Sequence, residues 1–230
     1  MVKSWIILLM AGMAATCSAQ DAQKLVQQAY ANFQKLKDYS ADVKMDFDIP
    51  SVRLKSISGK VYFKQPNRFR IKTNGIVFLP KQHPYYALGF LGDRGGYTAV
   101  AGGTEKIGSV NCTVVSVLPL KEGDVILSKF WIDAARGLIM RTQLTTRSNG
   151  TIQIEHTYAN DARLPTPSRL FFTIDMTKFK IPKAIAVDLN SKSAASTYNQ
   201  RGEGHITLTI TGYRINAQLP DAVFNETYNP

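Results

Sequence analysis

GKVYFKQPNRFRIKT, residues 59–73, alternates apolar and basic side chains on either side of a proline turn. Successive side chains of a β-strand point to opposite faces. Val61, Phe63, Phe69 and Ile71 therefore share one face of a hairpin, while Lys60, Lys64, Arg68, Arg70 and Lys72 crowd the other. The pattern describes a sheet with one dry face and one positively charged wet face. The fold turns on what the dry face covers.

Working outward, one amphipathic helix precedes this hairpin. Asp21 can cap it, and Leu25, Val26, Ala29, Tyr30, Phe33 and Leu36 recur at helical spacing, with Gln and Lys opposite. Most of the remaining chain alternates with period two. Strands are expected over 39–49, 53–64, 68–73, 97–101, 109–118, 128–133, 138–147, 151–158, 168–177 and 205–216. Turns at 65–67, 134–137 and 148–150 join them, and the Gly-rich stretches GDRGG from 92 and AGGTEKIG from 101 also read as turns. Many strands with short turns and one early helix imply a mainly β, α+β architecture in which an antiparallel sheet curls around the helix. Two stretches break the alternation. Residues 76–91, IVFLPKQHPYYALGFL, are a core plug or a movable lid, and residues 181–196 are a loop with a short helix.

The N-terminus sets the compartment. Lys3, the short apolar run from Trp5 to Ala15 and the small residues Cys17-Ser18-Ala19 form a secretory signal over residues 1–19. Residues 20–230 then make one domain with a sizeable core. Cys17 offers a rival reading, acylation as a lipoprotein. Ala14-Ala15-Thr16 suits that poorly, lacking a large aliphatic residue at its start and ending in threonine. With the signal removed, Cys112 has no cysteine partner and is expected to be a small buried apolar residue on its strand. The mature chain keeps 27 basic and 17 acidic residues, a net charge of +10. Export and the lack of a long basic run argue against nucleic acid; the charge reads first as a solvated basic surface, with an anionic membrane surface or acidic partner as the alternative.

The signs of catalysis are absent. His83, His156 and His205 show no metal-ligand spacing, so neither metal nor cofactor is expected, and no nucleophile elbow, phosphate loop or dinucleotide fingerprint occurs. His156 sits in an alternating strand, where a hydrogen-bonded core or rim role is expected. Asp188, Ser193 and His205 make a triad only on paper.

The run Gly59-x-Val61-Tyr62-Phe63-Lys64-Gln65-Pro66-Asn67-x-Phe69 resembles a characteristic segment of the LolA-like family, the periplasmic outer-membrane lipoprotein carriers and lipoprotein-sorting proteins. The preceding helix, LKDYSADVKMDF, KFWIDAARGLIMR with NGTIQI, and YRINAQLPDAVF are similar to the wider group. The resemblance implies an incomplete, strongly curved antiparallel β-barrel with an N-terminal helix and a lid. Such a protein is a monomeric, non-enzymatic carrier that shields lipoprotein or lipid acyl chains in an apolar cavity between an inner-membrane exporter and an outer-membrane acceptor. The alternative is a lipid-sensing domain that binds an envelope membrane partner. On the carrier reading, Val61, Phe63, Phe69, Ile71, Met140 and Leu144 line the concave face together with Ile152, Ile154, Phe172, Ile174, Ile206, Leu208 and Ile210. Phe78, Leu79, Tyr85, Tyr86 and Phe90 belong to the lid. Family members usually place arginine before the proline to hold the lid closed; Gln65 stands there in this chain and cannot supply a guanidinium's several donors.

Overall fold

A computed structural model describes residues 20–50, 54–66, 68–73, 86–93, 95–148, 150–177 and 202–225. The signal at 1–19, the lid candidates Phe78, Leu79 and Tyr85, and the 181–196 stretch lie outside the described residues. Helix α1 covers 20–34. The strands are β1 (Asp38–Asp48), β2 (Ile57–Lys64), β3 (Arg68–Thr73), β4 (Tyr97–Ile107), β5 (Val110–Pro119), β6 (Val125–Asp133), β7 (Leu138–Thr146), β8 (Gly150–Thr157), β9 (Arg169–Asp175) and β10 (Glu203–Ile215). A 3-10 helix, Tyr86–Gly92, precedes β4, and a short helix, α2 (Ala222–Asn225), follows β10.

The strands form one ten-stranded sheet in the order β3-β2-β1-β10-β9-β8-β7-β6-β5-β4. Every pairing is antiparallel. β3 and β4 are its two edges, so the sheet is open. Its inner face and the apolar stripe of α1 make the main core: Ala22, Leu25, Val26, Ala29 and Phe33, with Leu36 just beyond the helix, bury against Tyr39, Met45, Phe63, Phe130, Ile152 and Phe172. Phe63 lies 5.5 Å from both Phe33 and Tyr39, centroid to centroid, so the opening hairpin packs directly on the helix. A smaller cluster of Cys112, Val114, Trp131, Leu138 and Met140 packs separately. Cys112 is fully buried there, and burial pushes its thiol pKa up, which disfavours the reactive thiolate.

Two sequence expectations need correction. β2 begins at Ile57, not 53, and AGGTEKIG is mostly strand. A register shift between Ala101 and Thr104, with Gly103 at φ +88°, accommodates one extra residue while β4 stays paired to β5. The turn is confined to Gly108, at φ +57°, and Ser109.

Gly59 shows why a glycine opens the deciding stretch. A Cβ there would collide with the Lys72 backbone carbonyl and approach Thr73 Cγ2 to 2.5 Å. Because backbone cannot yield as a side-chain tip does, Gly59→Ala is expected to destabilise the fold by about 1–3 kcal/mol, read as a lower denaturation midpoint.

His156 lies in the core, 3.4 Å from Thr142 Oγ1 and stacked on Tyr158 at 6.2 Å. Burial lowers its pKa from 6.5 to about 4. Unfolded chains therefore bind a proton near pH 6.5 that the folded chain refuses until about pH 4. This contribution to stability is intact above pH 6.5 and declines as pH falls to 4, by up to about 3 kcal/mol. Thermal melts across that window should show the decline, and His156→Phe should flatten it.

Candidate functional site

The inner face of the sheet is a mainly apolar surface built by alternation, with Ser128, Thr142 and His156 as buried polar interruptions. Val61 and Phe63 on β2 face Ile71 and Phe69 on β3. Leu144 on β7 opposes Ile152 on β8, which opposes Ile174 on β9, and Ile154 opposes Phe172, which in turn opposes Ile206 on β10. Leu208 and Ile210 continue that face towards β1, opposite Met45 and Val43. Twelve of the expected concave residues thus join one cluster: ten are buried, and Phe69 and Ile71 are partly buried against it.

Met140 is the exception. β6 and β7 shift register between Trp131 and Ile132, which pair with Arg141 and Ile139. The extra residue, Met140, falls out of phase and packs in the smaller cluster, while Ile139 takes the inner position. Sequence reasoning also missed Val115, Val117, Phe130 and Ile132 on β5 and β6, which join the main cluster. Their own alternation carried that signal.

Helix α1 fills this concave face. Among the described residues, a pocket bounded by Ala29, Phe33, Leu88, Ile139, Thr142 and His156 among others has a volume of about 20 Å³, far short of the apolar cavity that the resemblance implies. That is room for about one water. Of the lid candidates, Phe90 packs edge-on against Tyr97 with centroids 6.4 Å apart; of Tyr86 only the backbone is described. Leu88 and Leu91 of the same 3-10 helix are buried in the core.

Side-chain amides tie α1 to its seat. Gln27 Nε2 donates to the Tyr97 hydroxyl and to Leu91 O at 3.4 Å. Gln28 Nε2 donates to Ala134 O at 3.1 Å, and Asn32 Nδ2 to Arg136 O and Gly137 O at 3.2 and 3.3 Å. At the C-terminal end, Gln65 Nε2 donates to Phe33 O and Leu36 O, both at 3.2 Å, while Asn216 Nδ2 donates to Lys35 O at 3.1 Å. These bonds satisfy carbonyls that a helix end leaves without intrahelical donors. The described partners of the expected latch, Gln65, are therefore carbonyls at the end of α1. Among the described residues, no ion pair joins α1 to the sheet.

Among the described residues, no group of three His, Cys, Asp or Glu side chains converges as a metal site, and no helix is long and apolar enough to cross a membrane. The one strongly shifted histidine is enclosed by apolar and aromatic groups, an arrangement that keeps it neutral.

No family model and no curated protein matches the sequence. Solved structures do match in shape. A DUF1329 family protein from Desulfovibrio piger aligns with TM-score 0.59 at 11% identity over 91% of this chain and 98% of its own. A domain assigned to outer membrane lipoprotein sorting from Vibrio parahaemolyticus gives 0.57 at 11% identity, covering 90% and 97%. A LolA superfamily protein from Nitrosomonas europaea gives 0.55 at 12% identity, covering 89% and 97%. An open, curved antiparallel sheet wrapped around an N-terminal helix, shared with these proteins over most of the chain, gives this protein a LolA-like fold.

Proposed function

We propose that this protein is a periplasmic carrier that shields lipoprotein or lipid acyl chains on its concave face during transfer to the outer membrane. One observation carries the reading. An unclosed sheet presents a largely apolar inner face, interrupted at Ser128, Thr142 and His156, and what covers it is a helix held by amide hydrogen bonds and apolar contact.

The face is filled by α1, so cargo enters by displacing the helix, and the energies permit that exchange. Burying an acyl chain of some fifteen methylenes is worth on the order of 10 kcal/mol at about 0.8 kcal/mol each. Re-exposing the buried stripe of α1, two alanines and three larger side chains, costs a similar order at about 1.5–3 kcal/mol per large residue. Each amide bond adds roughly 1 kcal/mol. Exchange near balance suits a carrier, which must release what it takes up. An enclosed cavity large enough for cargo in the empty state would waste the same apolar surface on water.

Native mass spectrometry of protein taken from the periplasm is expected to show a bound acyl species; empty protein that also ignores a fluorescent fatty-acid probe would reject the carrier reading. The latch gives a second check. Gln65→Arg offers more donors to the Phe33 and Leu36 carbonyls, holds α1 on the face and should slow probe uptake, whereas Gln65→Ala, losing two bonds, should speed it about fivefold or more. Identical stopped-flow rates for all three proteins would remove α1 displacement from the mechanism.

A further inference from the structure

Three segments far apart in the chain meet on the outer flank of α1 and enclose a groove of about 510 Å³. The helix contributes Asn32, with Lys35 just beyond its end; the β6–β7 turn contributes Arg136 and Gly137; the β8–β9 connection contributes Arg163. That volume falls within the range of small-molecule sites, about 300–1,000 Å³. The turn is fixed in advance. Asp133 Oδ1 accepts from the backbone N–H groups of Ala135 and Arg136 at 3.0 and 3.3 Å, and Asp133 Oδ2 from Arg136 Nε at 2.6 Å. Asp133 thereby answers the charge of Arg136. Lys35 and Arg163 are exposed, and among the described residues neither forms an ion pair.

Asn32 adds a second signal. It is 5% exposed, and its Nδ2 donates to Arg136 O and Gly137 O, while its Oδ1 is buried with no donor. A buried acceptor left unpaired carries a desolvation penalty that a ligand's donor would relieve. Lys35, whose backbone N–H bonds to Asn32 O, stands next to it, so a group drawn to the ammonium arrives beside Asn32. The groove also adjoins the core. Gly137 lines both the groove and the pocket of about 20 Å³ that Ala29 and Phe33 border, and the β8–β9 connection gives Arg163 to the one and Tyr158 and Pro165 to the other.

We propose that this groove binds the headgroup of an anionic phospholipid: Lys35 and Arg163 take the phosphate, a headgroup hydroxyl donates to Asn32 Oδ1, and an acyl chain runs past Gly137 beneath α1. The path of the chain rests on the carrier reading and deepens it. A phosphate site selects a phospholipid over an acylated protein, whose acylated end bears no phosphate. The planar donors of an arginine and the point charge of a lysine both suit phosphate oxygens. An acidic peptide would answer the cations, yet it has no long hydrocarbon to continue into the adjoining apolar pocket. A phospholipid has both parts.

The test is calorimetric titration of the mature chain with dihexanoyl phospholipids below their micelle concentration, and with glycerol 3-phosphate and inorganic phosphate. Phosphatidylglycerol is expected to bind about tenfold more tightly than phosphatidylcholine, which is net neutral, and about threefold more tightly than phosphatidylmethanol, which has the same charge and no headgroup hydroxyl. The variant K35Q/R163Q, changed only at exposed positions, should weaken phosphatidylglycerol binding about tenfold. Ala31→Glu, which sets a carboxylate on the exposed helix wall of the groove and leaves both cations in place, should weaken it too. Unchanged affinity in both variants, phosphatidylglycerol binding no better than either other lipid, or inorganic phosphate matching glycerol 3-phosphate would each overturn the proposal. Fatty-acid probe uptake is measured in parallel. Glycerol 3-phosphate binding that K35Q/R163Q abolishes, with no probe taken up, supports the headgroup site while rejecting the carrier reading; probe uptake without preference for phosphatidylglycerol does the reverse.

Discussion

The structure depends on the contact between the apolar stripe of α1 and the inner face of an unclosed sheet. Phe33 inserts against Phe63 of β2, Phe63 stacks on Tyr39 of β1, and Tyr39 meets Tyr213 of β10, so four elements converge on one aromatic group. An open sheet of ten strands has no closing strand pair to hide its concave side. The helix supplies that cover by hydrophobic burial, which is strong but non-directional. The amide bonds of Gln27, Gln28, Asn32 and Gln65 fix where the helix sits and add little to how tightly it is held. A cover with those properties can be exchanged for another apolar body of similar size.

The hairpin of residues 59–73 serves three physical ends at once. Its inner face contributes Val61 and Phe63 to the core, and its turn places Gln65 under the carbonyls that end α1. Its outer face gathers cations at the sheet edge, where a single aspartate from the C-terminal strap answers two of them. Gly59 permits the close approach of β2 to the β3 backbone on which this arrangement rests. Local like-charge repulsion is tolerated because the apolar side of the same residues is so thoroughly buried.

Much of this was legible in the sequence, because burial on one face writes a period of two into every strand and a period of 3.6 into the helix. The ten strands and α1 form at the expected places, with β2 starting only at Ile57 and β4 running on to Ile107, and twelve of the thirteen concave candidates share one cluster. Two of the failures share one cause. At Met140 and at Gly102–Gly103 an extra residue enters one strand of a pair, and the alternation changes phase without any change in composition. A bulge depends on the partner strand, which local pattern does not contain.

The sequence by itself determined which side chains are dry, where strands and helix form, and that the chain carries an excess of positive charge, since these follow from residue chemistry and local periodicity. Only the tertiary structure decided that α1 packs the concave face with little room left beside it, that Gln65 holds the end of that helix, and that Asp221 lies across the basic edge. Each joins residues far apart in the chain, and such contacts are chosen by the global packing of the sheet rather than by any local preference.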